Sequence, residues 1–143
     1  DQLPWLGLLR SVIPLDIEAG RTPEGHLVTL ELTGRLDAQR FMQIPDADFR
    51  NSYNSMMELR TRVLDEMSEA QGRLIKVTQV RDLRGFSNVY GSLIRNAGAM
   101  ARLKGVVSDS LCAHPESMNR VVLLNVPKAF YSLFAIVSPL LTE

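Results

Sequence analysis

The spacing of apolar and polar positions changes several times along the chain, and each change marks an element. Residues 26–33 (HLVTLELT) set Leu27/Val28, Leu30 and Leu32 against Thr29, Glu31 and Thr33, an alternation of period two that predicts a strand. The preceding stretch, Gly-Arg-Thr-Pro-Glu-Gly at 20–25, predicts a turn. Asp37 is placed to cap a short helix from Ala38 to Ile44, which Pro45 ends. From Asp46 to Gln71 the period becomes helical. Phe49, Tyr53, Met56, Met57, Val63, Leu64 and Met67 recur at spacings of three and four and share a face, with Arg60, Arg62, Glu66 and Glu69 assigned to the other faces. Gly72 is a suitable stop.

Leu74–Leu83 (LIKVTQVRDL) predicts a second strand, broken by Gly85. Ser87 is an N-cap candidate for a helix carrying Val89, Tyr90, Leu93, Ile94, Ala97, Met100 and Ala101, weakened by Gly105, running on toward Ala113 and closed by Pro115. Val121–Val126 is apolar without interruption, as expected of a central parallel strand covered on both faces. Pro127 suits the first turn of a last helix, and Pro139 bends or ends it. That helix carries Phe130, Leu133, Phe134, Ile136 and Val137 on almost every face, more apolar surface than one core contact requires. Strands separated by helices imply right-handed crossovers and an α/β fold, a mainly parallel sheet flanked by helices. Residues 1–143 read as one domain, with 1–19 a lead-in and 20–143 the core.

The composition is that of an ordinary globular chain: 143 residues, 45% hydrophobic and 22% charged. Sixteen basic residues balance sixteen acidic ones, so there is no electrostatic argument for nucleic acid as a partner. One cysteine, Cys112, excludes an internal disulfide and fits a reducing, cytoplasmic compartment. The chain opens at Asp1 without an initiator Met, as expected of a fragment, a processed chain or an incompletely assigned sequence.

Catalytic and metal chemistry recede by elimination. His26 and His114 have no second ligand at metal spacing. No Gly-rich phosphate loop and no nucleophile elbow is present. Asp82, at the end of a strand, stands where catalytic acids occur, but it has no partner acid, base or nucleophile; a bond to the following turn, Arg84-Gly85, accounts for it better. Met56, Met57, Met67 and Met100 fit a core better than the alternative, an adaptable lining for a variable apolar ligand.

Three blocks, in register over residues 20–143, resemble the CRAL-TRIO lipid-binding family. The first is Val28-Thr29-Leu30-Glu31-Leu32-Thr33-Gly34-Arg35-Leu36-Asp37, running into Phe41-Met42-Gln43. The second is Val80-Arg81-Asp82-Leu83-Arg84-Gly85-Phe86-Ser87. The third is His114-Pro115-Glu116-Ser117, then Val121 to Pro127 with Asn125-Val126-Pro127, Phe130 to Phe134 and Pro139-Leu140-Leu141. The first block is most similar to the phosphatidylinositol/phosphatidylcholine-transfer branch. The family's small N-terminal helical domain has no counterpart here, and neither does the strand and gating helix that follow the aromatic helix.

The resemblance implies a sheet that floors a hydrophobic cavity walled by helices. It implies no enzyme activity and no cofactor beyond a bound lipid as cargo, and a protein peripheral to membranes. The lining it implies is Val77, Gln79, Glu116, Val121, Leu123, Phe130, Leu133 and Phe134, with Glu116 matching a glutamate tied to the inositol headgroup. Val77 and Gln79 match hydroxyl positions of a phosphatidylcholine site; Val77 cannot donate a hydrogen bond, which argues against that lipid. The tyrosine common in the first strand is Thr29 here. The expected function is binding and transfer of one phospholipid between membranes; the alternatives are a scaffold that contacts a protein partner on the same fold and, more remotely, a small α/β enzyme.

Overall fold

The structure is a computed structural model describing residues 4–96, 98–105 and 116–138. Its elements are α1 (Pro4–Val12), β1 (Leu15–Arg21), β2 (Leu27–Glu31), a 3-10 turn (Thr33–Arg35), α2 (Ala38–Gln43), α3 (Asp46–Gln71), β3 (Val77–Asp82), α4 (Phe86–Ile94), α5 (98–105), β4 (Met118–Leu124) and α6 (Lys128–Val137). Four strands form one sheet in the order β1-β2-β3-β4, with β1 antiparallel to β2 and the other pairs parallel. The expected α/β class, a mainly parallel sheet flanked by helices, is the class found.

The long helix forms where its period predicts. Asp46 and Asp48 in its first turn complement the helix dipole. At its end Gly72 takes the left-handed conformation at φ 62° and gives its N–H to the Glu69 and Ser68 carbonyls. Asp37 caps α2 by accepting from the Arg40 N–H at 2.8 Å. The residues before Gly20, expected as a lead-in, instead build α1 and most of β1. Leu9 and Val12 of α1 are buried, and Leu15 and Ile17 alternate inward along β1. The helix after β3 is capped by Gly85 rather than Ser87, and α4 stops at Ile94 before the chain resumes a helix at 98. Val121–Leu124 lies in β4 at the edge of the described sheet rather than at its centre, so its apolar run is not covered on both sides. Cys112, His114, Pro115 and Pro139–Leu141 fall outside the described residues.

Parallel pairing fixes which side chains share a face. Leu27, Val77 and Met118 form one row; Thr29, Gln79 and Val121 form the next; Glu31, Arg81 and Leu123 form the third. All three rows face α3. The core has two parts on that side. One joins Leu27, Ile75 and Val77 to Leu64, with Met67 alongside. The other gathers Leu9, Val12, Phe41, Phe49, Leu83, Phe86, Val89 and Leu93 beyond the ends of the strands, with Leu123 and Phe130 against it. Neither part includes Val28, Leu30, Val80, Val122 or Leu124 of the opposite face.

Arg102 of α5 ties the second part together. It stacks on Phe41 and Phe49, 4.9 and 5.4 Å from their ring centroids, donates to the Phe41 and Ile44 carbonyls and pairs with Asp46 at 3.0 Å. It thereby satisfies carbonyls at the end of α2 that have no helical partner. Gly34 lies against the backbone of Leu83 and Arg84 so closely that a Cβ would collide with it.

Gly34→Ala is expected to cost at least about 2 kcal/mol in urea unfolding, because rigid backbone occupies the space. Gly7→Ala, in α1 with open space around it, is expected to stabilise by about 0.5–1 kcal/mol. Equal midpoints for the two variants would contradict this packing.

Candidate lipid-binding face

The three sequence blocks meet at the carboxyl ends of the strands. Gly34 of the first abuts Arg84 of the second, and the Asn125 amide of the third donates to Asp82 at 2.9 Å. Asn125 holds φ 53°, a left-handed geometry that an asparagine tolerates. The Asp82 carboxylate also accepts from the Arg84 N–H at 2.9 Å, the turn contact expected of it. The Asn125 amide, and after it the Arg84 N–H, holds the Asp82 carboxyl below the ordinary carboxylate range.

Between α3 and the sheet lies a cleft lined by Leu15, Ile17, Thr29, Glu31, Met56, Arg60 and Gln79, among others. Its floor is graded. The lower row is wholly apolar, with Val77 and Leu27 at 0% exposure. The middle and upper rows run from Thr29 and Glu31 on β2, through Gln79 and Arg81 on β3, to Val121 and Leu123 on β4. Gln79 donates to Glu31 at 3.4 Å and Arg81 approaches the same carboxylate at 3.8 Å. Three buried polar atoms in this region have no partner: Thr29 Oγ1, Arg60 Nε and Arg81 Nε. Leaving a buried donor unmade costs about 1–3 kcal/mol, and a buried charge without a counter-charge costs more.

Arg60 is a correction. Its charge placed it on a solvent face, but it is only 7% exposed and points from α3 toward the sheet. Burial pulls its pKa down, the neighbouring Tyr53 opposes that, and Arg81 adds to it. Its position carried a signal: Tyr53, Met56, Arg60, Leu64 and Met67 continue the apolar spacing of three and four without a gap.

The expected lining residues are distributed as follows. Val77, Gln79, Val121 and Leu123 all face α3, Val77 as a fully buried core residue and Val121 at 49% exposure. Phe130 packs edge-on to Phe86 at 5.8 Å. Phe134, 6.0 Å from Phe130, is exposed. Leu133 falls on α6 with its side chain outside the described residues. Glu116 is exposed in the turn before β4, one residue from Ser117, whose carbonyl accepts the Val77 N–H. Among the described residues, five of the eight exposed large apolar side chains, Val121, Leu124, Val126, Tyr131 and Phe134, lie on β4, α6 and the link between them; Met42, Leu74 and Ile94 lie elsewhere. The β4–α6 side of the domain therefore carries several exposed apolar side chains.

Among the described residues no group of His, Cys, Asp or Glu could hold a metal ion, and no helix is long and apolar enough to cross a membrane. The fold is that of an α/β domain with a graded face between α3 and its sheet. The family model of the CRAL/TRIO domain matches residues 19–143, and the chain belongs to that family. Membership supports binding of a hydrophobic small molecule. No curated protein matches the chain.

Asp82 has a folded pKa below its unfolded value. The stability it contributes is therefore present above the unfolded carboxyl range and lost as pH falls through the folded value. Asn125→Ala is expected to raise the Asp82 pKa and to reduce its share of acid sensitivity. Carboxyl-detected NMR titration measures this directly, and an unmoved titration would remove Asn125 as the cause.

Proposed function

We propose that the domain takes up a single phospholipid, phosphatidylinositol foremost, on the α3-facing side of its sheet and carries or presents it between membranes without covalent chemistry. The observation that carries this reading is the match to the CRAL/TRIO family together with the exposed apolar side chains of β4 and α6. Each buried methylene is worth roughly 0.8 kcal/mol relative to water. A two-chain lipid therefore leaves a bilayer slowly unless a protein surface offers equal burial. Docked at a membrane, the edge around Val121, Tyr131 and Phe134 supplies that surface, and the barrier becomes exposure of the cleft rather than passage through water. Specificity rests on polar groups, of which Glu116 is assigned to the inositol ring. The protein works at membrane surfaces facing the cytoplasm.

Mass spectrometry of an organic extract from the natively purified full-length protein is expected to find one phospholipid at stoichiometric amount. An empty protein would shift the assignment to a scaffold that covers its apolar edge with a protein partner. Val121→Asp is expected to lower lipid retention about tenfold or more, by placing a charge in the apolar path. Its thermal midpoint is expected within about 2 °C of the parent, because the site is surface. Glu116→Ala is expected to reduce phosphatidylinositol loading more than loading of a neutral lipid. Equal loss of both would mark a folding defect instead.

A further inference from the structure

We propose that the hydrogen bond from Asn125 to Asp82 is a pin that sets the direction in which α6 leaves the sheet, and that the two are positioning residues for the aromatic side chains of α6. The proposal rests on the reading that the domain holds a lipid, and it names what places the α6 part of that site.

Three residues, Asn125, Val126 and Pro127, join β4 to α6. The ring of Pro127 fixes its φ, here −80°. Val126 precedes a proline and is confined to extended backbone. Most of the freedom of the link therefore lies at Asn125. The chain before it is held, because the Leu124 carbonyl accepts the Leu83 N–H at 2.9 Å and Gly34 lies against the Leu83 and Arg84 backbone. The chain after it turns with it.

Asn125 has φ 53°, the one positive φ of a residue other than glycine among the described residues. Asparagine tolerates that region without preferring it, and such a conformation persists where its surroundings impose it. Relaxation to about −65° would turn α6 by roughly 120° about the Asn125 N–Cα bond. The side-chain amide opposes that turn by donating to Asp82 Oδ1 at 2.9 Å. The same oxygen accepts the Arg84 N–H at 2.9 Å, so one acceptor fixes the link before α6 and the turn before α4 together. The two helices then meet through Phe86 and Phe130, edge-on at 5.8 Å, while Tyr131 and Phe134 stay exposed. Both bonds to Asp82 use one oxygen, so the role needs an acceptor there and no proton transfer.

Spin labels at Glu58→Cys on α3 and Ser132→Cys on α6, both exposed, report the direction of α6 by pulsed dipolar EPR in the full-length protein with Cys112→Ser. The parent is expected to give one narrow distance distribution. Asn125→Gly keeps the left-handed region accessible but removes the amide, and is expected to widen the distribution by about twofold or more. Asp82→Ala is expected to do the same. Asp82→Asn keeps a carbonyl oxygen in place of Oδ1 and is expected to restore most of the narrow peak. Retention of dioleoyl phosphatidylinositol by the same proteins is expected to follow the widths, falling about fivefold or more in Asn125→Gly and Asp82→Ala and recovering in large part in Asp82→Asn. Should Asp82→Ala fail to fold, Asn125→Gly, at an exposed position, still decides. A narrow peak at the parent distance in Asn125→Gly overturns the pin, whatever the lipid result. An Asp82→Asn distribution as wide as that of Asn125→Gly overturns the acceptor role. A widened distribution with lipid retention unchanged overturns the positioning role and leaves lipid binding intact. Widened distributions in variants of a parent that itself retains no lipid keep the pin and sink the lipid reading.

Discussion

The handedness of two chain crossovers governs this domain. β2, β3 and β4 are parallel neighbours that advance across the sheet in one direction. Right-handed connections then carry α3 and the α4–α5 segment over the same face. Every row that packs into the core, from Leu27 and Val77 up to Leu123, lies on that face, and α1 and α6 join the same side. The stacked helices leave the cleft between α3 and the sheet as a consequence of this one-sidedness. The ends of the strands are closed by contacts among distant segments: Gly34 under Arg84, Asn125 on Asp82, and Arg102 on the end of α2.

On the floor of the cleft, polar residues work against the stability of the fold. A sheet built only to fold would continue Leu27 and Val77 upward with more aliphatic residues. Instead it carries Thr29, Glu31, Gln79 and Arg81, and α3 drops Arg60 onto them. Unpartnered donors there weaken the isolated fold, and that is where local consistency is expected to give way to a site. Among the described residues the other buried side-chain polar atoms are satisfied. Ser68 accepts from the Ile75 N–H, His26 Nδ1 accepts from the Lys76 N–H, and Arg102 pairs with carbonyls and Asp46. The strain is local to one niche rather than spread through the core.

The apolar edge of β4 and α6 is the other departure from a self-sufficient domain. Phe130 belongs to the core through Phe86, but Tyr131 and Phe134 do not reach it. A helix apolar on several faces serves a second contact besides the core.

The sequence by itself determined the elements that local physics controls. Helix α3 ran from Asp46 to Gln71 because its period, acidic start and terminal Gly72 all act within a few residues, and β2, β3 and the α/β class followed from alternation and spacing in the same way. The three sequence blocks also named the family. What tertiary structure decided was partnership. α1 and β1 escaped because a seven-residue strand with Asp16, Glu18 and Gly20 gains its stability from β2, not from its own pattern. The β4 run looked central but sits at an edge, since apolarity reports burial without saying against what. Arg60 was hidden by its charge, although its place in the helical repeat was visible. Whether a cation on an apolar face stays in solvent or turns inward depends on the strand residues opposite, and only the fold brings Thr29, Gln79 and Arg81 beneath it.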